Sequence, residues 1–261
     1  MNSKPFALFL LLLAGSIMLM GCQTHRSSAP KTGSEKNTYV LVHGAWGGGW
    51  DWRPVDDLLT ADGNKVFRVS LTGQGERSHL ANTNLDLDTH IQDVVNVILW
   101  ENLHDVVLVG HSYGGMVITG VADRVPDRIK RIIYLDALLP TNGESVNAAI
   151  PARGGVNQQV TNGYILPVWV KGNPPPPHDV PMPAKCFSQP IALTNQAAAA
   201  RLPATYILTV DTGKTPEQDT FFPFYQRAKT RGWPTWIMEG DHNVQRSHRA
   251  ELVRLLEQAA Q

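Results

Sequence analysis

Residues 106–118 read Val-Val-Leu-Val-Gly-His-Ser-Tyr-Gly-Gly-Met-Val-Ile, and the chemistry of the chain gathers around the serine among them, Ser112. An apolar run stops at Gly110, the serine follows two positions later, and Gly114 and Gly115 open a stretch of helical spacing. That order describes a buried parallel strand, a turn too tight for large side chains, and a helix. Gly110-x-Ser112-x-Gly114 is the spacing of a nucleophile elbow, which holds a serine hydroxyl exposed at the tip of a strand. A serine hydroxyl is a weak nucleophile and needs a base, usually an imidazole oriented by a carboxylate.

Where such an elbow sits in a strand–helix alternation, the chain order is serine, acid, histidine. Of nine histidines, His242 in Gly240-Asp241-His242 follows the last expected strand and precedes the last expected helix. It is the expected base; His248 competes but falls inside that helix. Two carboxylates compete for the acid. Asp211 follows the strand at 205–210 but sits among Thr209, Thr212, Gly213 and Lys214, an ordinary solvated loop. Asp136 follows the strand at 131–135 and is framed by Leu135, Ala137 and Leu138, so its carboxylate should be buried and require a strong partner. That requirement favours Asp136, with Asp211 as the alternative. Asp241 is expected to be structural.

Acyl transfer also needs preorganised N–H donors for the oxyanion. The amide of Tyr113, directly after the nucleophile, should supply one, and Ala45, in the glycine-rich loop after the first strand, the other. His43 is expected to hold that loop by hydrogen bonds. No His-Glu-x-x-His or paired-cysteine spacing occurs, so no metal is expected. The glycines at 47–49 lack a following Gly-Lys-Ser/Thr, which argues against a phosphate loop.

The elements that must position these groups alternate along the chain. Strands are expected at 39–42, 65–69, 106–109, 131–135, 205–210 and 234–238, and helices at 51–59, 87–99, 221–231 and 247–258, besides the one after the elbow. This rhythm predicts an α/β fold, a mostly parallel sheet with helices on both faces. Residues 141–202 break it with four consecutive prolines at 174–177, Trp169 and an alanine-rich piece, and are expected to form an inserted cap over the site. Trp169, Phe187 and Ile191 should line an apolar pocket beneath it.

With 43% hydrophobic and 18% charged residues, the composition is that of an ordinary globular domain. The formal net charge is zero and no basic cluster occurs, so nucleic acid is not an expected partner. The amino terminus carries an export signal: Lys4, an apolar stretch over residues 6–20, and Leu19-Met20-Gly21-Cys22, the pattern of a bacterial lipobox. Residues 1–21 are therefore expected to be a lipoprotein signal peptide and Cys22 the acylated first residue, with several acyl chains anchoring the protein to a membrane; an uncleaved N-terminal anchor helix is the alternative. Residues 22–37, rich in Ser, Lys and Thr, read as a flexible tether, and residues 38–261 as the folded domain. With Cys22 acylated, Cys186 has no partner for an intramolecular disulfide.

Leu41-Val42-His43-Gly44-Ala45-Trp46 with Gly49-Trp50, then Gly110 to Gly115, then Gly240-Asp241-His242, lie in this order across nearly the whole domain. Together they resemble the α/β-hydrolase superfamily, and more narrowly its branch of plant methylesterases, hydroxynitrile lyases and bacterial pyrethroid-hydrolase-like esterases. The resemblance implies a Ser/His/Asp triad, an oxyanion hole at Ala45 and Tyr113, a helical cap and no cofactor. Two positions depart from the branch. Its usual acid would fall near Thr212, one position from Asp211, whereas Tyr134-Leu135-Asp136-Ala137 resembles the segment where haloalkane dehalogenases place theirs. Its lyases carry a lysine after the triad histidine, and here the residue is Asn243. The dehalogenase mechanism itself needs an aspartate nucleophile, which Ser112 is not.

The expected function is hydrolysis of small to medium apolar esters through an acyl-enzyme, with the small-molecule ester as ligand and the membrane reached through Cys22. The alternatives are a cyanohydrin-cleaving C–C lyase and a tethered binding protein without catalysis. The anchor is open to test: the full-length protein should pellet with membranes and become soluble on Cys22→Ser, and a soluble wild type contradicts it.

Overall fold

The computed structural model describes Met1 and residues 36–150 and 160–261. Apart from Met1, the expected signal peptide, Cys22 and the expected tether before Lys36 lie outside the described residues. From Lys36 onward the described chain belongs to a single unit, Glu35–Gln261.

The first half of the domain alternates as expected: strand β1 (Thr38–Val42), helix α1 (Arg53–Ala61), β2 (Lys65–Val69), α2 (Leu87–Trp100), β3 (Val106–His111), α3 (Gly114–Arg124) and β4 (Ile129–Leu135). A single turn, α4 (Val146–Ala149), then leads into the inserted segment. The insertion holds β5 (Val160–Thr161), β6 (Tyr164–Ile165), β7 (Met182–Pro183), α5 (Lys185–Ser188) and α6 (Gln196–Ala199), and after it come β8 (Ala204–Val210), α7 (Phe222–Thr230), β9 (Thr235–Glu239), the turn α8 (Val244–Ser247) and α9 (Arg249–Ala259). Among the described residues one sheet runs β2-β1-β3-β4-β8-β9, every neighbouring pair parallel.

Strand periodicity divides this sheet's side chains between two cores. Val40, Val42, Leu108, Ile132, Tyr134 and Leu208 face α2, α3 and α7. Tyr39, Leu41, Val107, Val109, Ile133 and Ile207 face α1 and α9. Strand β3 is buried along its whole length, which explains why it reads as a continuous apolar run rather than an alternation. Burying each such side chain contributes about 1.5–3 kcal/mol.

Parallel strands bring all their carboxyl ends to one edge, so the residues after β1, β3, β4, β8 and β9 meet there although up to two hundred positions separate them in sequence. The turn after β3 is held against β1 and β4 at backbone distance. A Cβ on Gly115 would lie 1.9 Å from the Leu138 carbonyl oxygen, and one on Gly114 would lie 2.8 Å from the carbonyl oxygens of both Val42 and His43. Glycine is required at these positions for space, since neither has positive φ.

The insertion differs from the helical cap that the resemblance implied. Its described part holds three antiparallel two-residue strands, β5 (Val160–Thr161), β6 (Tyr164–Ile165) and β7 (Met182–Pro183), with two more single turns, α5 (Lys185–Ser188) and α6 (Gln196–Ala199). The frequent prolines remove the N–H donors that a longer helix would need.

The elbow packing sets a contrast. Gly115→Ala should cost about 3 kcal/mol or prevent folding, because backbone cannot yield as a side chain can. Gly213→Ala, at φ +82° with open space around it, should cost only about 1 kcal/mol of backbone strain. Denaturant unfolding of the two variants checks this, and equal losses would contradict it.

Candidate active site

Ser112 follows the last residue of β3 and has φ +54°. Its backbone is gripped from both sides: the Ser112 amide donates to the Leu135 carbonyl (3.3 Å), and its own carbonyl accepts from Gly115 (3.0 Å) and Leu138 (3.1 Å). A non-glycine residue in this region is strained by about 1–3 kcal/mol, and these bonds, with the close approach of α3, keep it there. The result is a serine side chain directed away from the strand onto the wall of a cavity of about 590 Å³.

Asp136 occupies the same kind of position after β4, with φ +43° and no exposed surface. The neighbouring strand β8 holds it: its amide donates to Ile207 (2.7 Å) and its Oδ1 accepts from the Thr209 amide (3.1 Å). The Tyr206 hydroxyl fastens the next residue, accepting from the Ala137 amide (3.0 Å) and donating to the Ala137 carbonyl (2.6 Å). Its other oxygen, Oδ2, lies 2.6 Å from His242 Nδ1. Asp211 also borders the cavity, but its carboxylate is exposed and bound by Lys214 Nζ at 2.6 Å. Of the two candidate acids, Asp136 is therefore the one in contact with the histidine.

His242 sits in the loop after β9, its side chain 38 % exposed and its ring stacked on Phe221 (4.9 Å between centroids, 10° between planes). Burial disfavours its charged form, but the hydrogen bond and charge of Asp136, with Asp219 and Asp241 further off, outweigh this and raise its pKa above 6.5. With Nδ1 committed to Asp136, Nε2 is the ring nitrogen left for exchange with a ligand. The competing His248 is instead the residue between α8 and α9, its Nδ1 2.8 Å from Ser247 Oγ. Asp241 accepts from the Asn243 amide (2.8 Å) and from Ser247 Oγ (3.1 Å), shaping the loop.

Two further histidines border this arrangement in fixed tautomers. His43 Nδ1 donates to the Gly44 carbonyl (2.6 Å), while its Nε2 accepts from the Leu71 amide (3.1 Å), so it ties the loop after β1 to the loop after β2. His111 Nε2 donates to the carbonyl of His242 (2.7 Å). Burial lowers the pKa of both, and for His111 the neighbouring His242 lowers it further. Both are neutral spacers. The amides of Ala45 and Tyr113, the expected oxyanion donors, have no hydrogen-bond partner among the described residues, and both residues line the cavity.

Part of the cavity wall is an aromatic cluster, in which Trp46 contacts both Trp169 and Phe187. Ile191, expected to line the pocket, is buried but is not among the residues that line the cavity, unlike Trp169 and Phe187. Several cavity residues escape sequence reasoning. Phe221 and Asp219 lie in an irregular stretch after β8 that no motif marks. Asp219 is half-buried, and burial together with the charge of Asp136 pushes its carboxyl up to about 6. Arg246 pairs with Asp51, approaches Asp179 (3.8 Å) and stacks on Trp50, and all but Trp50 line the cavity. His111 alone had a visible signal, its place directly before the serine.

The profile of the alpha/beta hydrolase family matches residues 39–255, from β1 into α9. The chain belongs to that family. It is similar to the Carbendazim hydrolyzing esterase of Nocardioides sp. (strain SG-4G), 52% identical over 113 residues, which are 43% of this chain and 47% of that esterase. It is also similar to Putative methylesterase 11, chloroplastic, of Arabidopsis thaliana, 32% identical over 146 residues, 55% of this chain and 37% of that protein. The chain thus spans less than half the length of these two relatives. Among solved structures, an extracellular alpha/beta-hydrolase from a Paenibacillus species superposes with a TM-score of 0.69 at 25% identity, covering 86% of this chain and 99% of that one.

The Asp136 contact makes a prediction about His242 alone. Its imidazole should titrate with a midpoint above 6.5, and Asp136→Asn should move that midpoint down, because a neutral amide no longer favours the imidazolium. Histidine chemical shifts followed against pH check this. A midpoint at or below 6.5, or one indifferent to Asp136→Asn, would contradict it.

Proposed function

We propose that this family member is a serine carboxylesterase acting on small to medium apolar esters. The observation that carries the reading is the 2.6 Å contact between Asp136 and His242 on a cavity that also holds Ser112 in its left-handed backbone conformation. That combination supplies a nucleophile, a base with one nitrogen free, and a buried carboxylate to orient it.

In this mechanism Ser112 Oγ attacks the ester carbonyl carbon while His242 Nε2 takes its proton. The carbonyl oxygen becomes an oxyanion that the amides of Ala45 and Tyr113 stabilise. Collapse expels the alkoxide, which receives the proton from His242 and leaves as the alcohol. Water then enters, gives a proton to His242 as it attacks the acyl-enzyme, and the acid departs as Ser112 recovers its proton. Asp136 stays ionised throughout and keeps the imidazole in its Nδ1–H tautomer.

The cavity volume of about 590 Å³ and its Trp46, Trp169 and Phe187 wall suit a compact apolar substrate rather than a long acyl chain. The esterase names of the relatives favour the same class. Asn243 lines this cavity where the related lyases present a lysine, and it brings no cation to receive cyanide, which argues against the lyase reading. Intact serine and histidine argue against a binding protein without turnover. Acylation of Cys22 would hold the esterase at a membrane surface.

Turnover of p-nitrophenyl esters of increasing acyl length tests the reading. Ser112→Ala should lower kcat by about 10⁴-fold or more, and Asp136→Asn by about 10³–10⁴-fold through the wrong tautomer. Asp211→Asn, which removes an exposed ion pair, should leave kcat within about threefold. Because the base must be neutral, kcat/KM should rise with pH through a limb above 6.5, and Asp136→Asn should shift that limb to lower pH. Near-full turnover in Asp136→Asn with a large loss in Asp211→Asn would reassign the acid. Unchanged turnover in Ser112→Ala would end the proposal.

A further inference from the structure

The two amides assigned to the oxyanion belong to separate loops, after β1 and after β3, and their spacing decides how well they receive one oxygen. Each is carried by, or adjoins, a large ring. Trp46 follows Ala45 directly and has φ +64°, and Tyr113 carries its own amide. Both rings rest on one ring of the inserted segment, that of Phe187. Its centroid lies 5.6 Å from Trp46 and 5.7 Å from Tyr113, stacked on the latter with 6° between planes. Phe187 is 3% exposed and packs between these two rings.

The far sides of both rings are fastened as well. The Trp46 indole donates to the Ile165 carbonyl (3.0 Å) and its backbone carbonyl accepts from the Val180 amide (2.9 Å), so the insertion grips this residue at two points. The Tyr113 hydroxyl lies 3.0 Å from His90 Nδ1. His90 Nε2 is 3.0 Å from the Thr72 carbonyl, which can only accept, so Nε2 carries the proton and Nδ1 receives the phenol. His90 is fully buried, and burial lowers its pKa to about 4, consistent with a neutral ring in that tautomer. A ring pinned at its tip by His90 and on its face by Phe187 cannot turn without moving the Tyr113 backbone.

We infer that Phe187 is a positioning residue for the oxyanion hole, a wedge through which the inserted segment sets the distance between the Ala45 and Tyr113 amides. This rests on the esterase reading, and it adds a role for the cap beyond lining the pocket. The expected signature lies in the chemical step, because an oxyanion donor out of place lowers transition-state stabilisation more than substrate binding.

Phe187 also touches the cavity, so the test must separate positioning from contact with substrate. A matched pair of esters does this, one with a carbonyl oxygen and one with sulfur in its place, sharing the same acyl and leaving groups. Contact with Phe187 is common to both, whereas sulfur accepts hydrogen bonds weakly and draws little on the amides. In Phe187→Leu, kcat/KM for the oxygen ester should fall about 10- to 100-fold and that for the thionoester by less than about threefold, with KM nearly constant. Phe187→Met, a flexible replacement that fills the same space, should behave alike if Phe187→Leu folds poorly. Phe187→Tyr keeps the ring faces and should restore the wild-type ratio between the two esters.

Parallel losses for both esters, an unchanged ratio, or a Phe187→Tyr ratio as poor as that of Phe187→Leu would overturn the inference. Intact-mass spectrometry distinguishes that failure from failure of the reading beneath it. If wild-type protein forms no acyl adduct on Ser112, the esterase reading falls and this inference falls with it. A normal adduct accompanied by parallel losses removes only the role of Phe187.

Discussion

A carboxylate with no exposed surface, Asp136, organises the carboxyl edge of this sheet. Burying an ionised group without partners is prohibitively costly, so the structure around it must supply them. It does so from two directions, the Thr209 amide from β8 and the His242 ring from beyond β9, while the Tyr206 hydroxyl holds the adjoining Ala137 backbone. Each partner constrains something else in turn. The β4–β8 register, which pairs Leu135 with Ile207, brings Thr209 within reach. The short loop after β9 delivers His242, and the His111 bond to the His242 carbonyl holds that loop against the end of β3.

Backbone strain recurs at the same edge, which holds three of the six non-glycine residues with positive φ among the described residues. Ser112, Asp136 and Trp46 all have positive φ, and they lie just after β3, β4 and β1. At about 1–3 kcal/mol each, three such residues consume a sizeable part of the stability of a domain this size. The surrounding contacts over-determine them: amide bonds across strands, glycines that admit α3 to backbone distance, and aromatic packing from the insertion. The rest of the sheet is relaxed and apolar by comparison, and its two cores supply the stability that the edge spends.

Much of this was legible in the amino-acid sequence, and the parts that were not share a cause. The strands of the main sheet are apolar and β-branched, so their positions emerge from pattern alone. The elbow is legible because glycine is demanded at contiguous positions. The apolar neighbours of Asp136 are a local signal of burial that favours it over Asp211, and its proximity to His242 follows from strand order. Phe221 against His242, and Arg246 between Asp51 and Asp179, join residues with no common motif, through irregular chain whose path only tertiary packing determines. The insertion was visible as an interruption, but its two-residue strands are too short to carry a period, and its prolines rule out long helices without specifying what replaces them.

Three imidazoles gather at this edge, and their surroundings give each a different role. His43 and His111 are fully enclosed, have both ring nitrogens engaged or directed at neighbours, and are driven neutral by burial. His242 has a carboxylate on Nδ1 and partial exposure at the mouth, and it alone of the three is shifted toward the charged form. The separation is self-reinforcing. A proton on His111, whose ring centroid lies 4.5 Å from that of His242, would repel an imidazolium there, so keeping His111 neutral preserves the ability of His242 to take a proton. Neutrality also fixes the His111 tautomer, since its one N–H is held by the His242 carbonyl. The residue before the serine therefore steadies the loop of the base without competing with it for the proton, and the position in the elbow that looks chemically free is bound by that requirement.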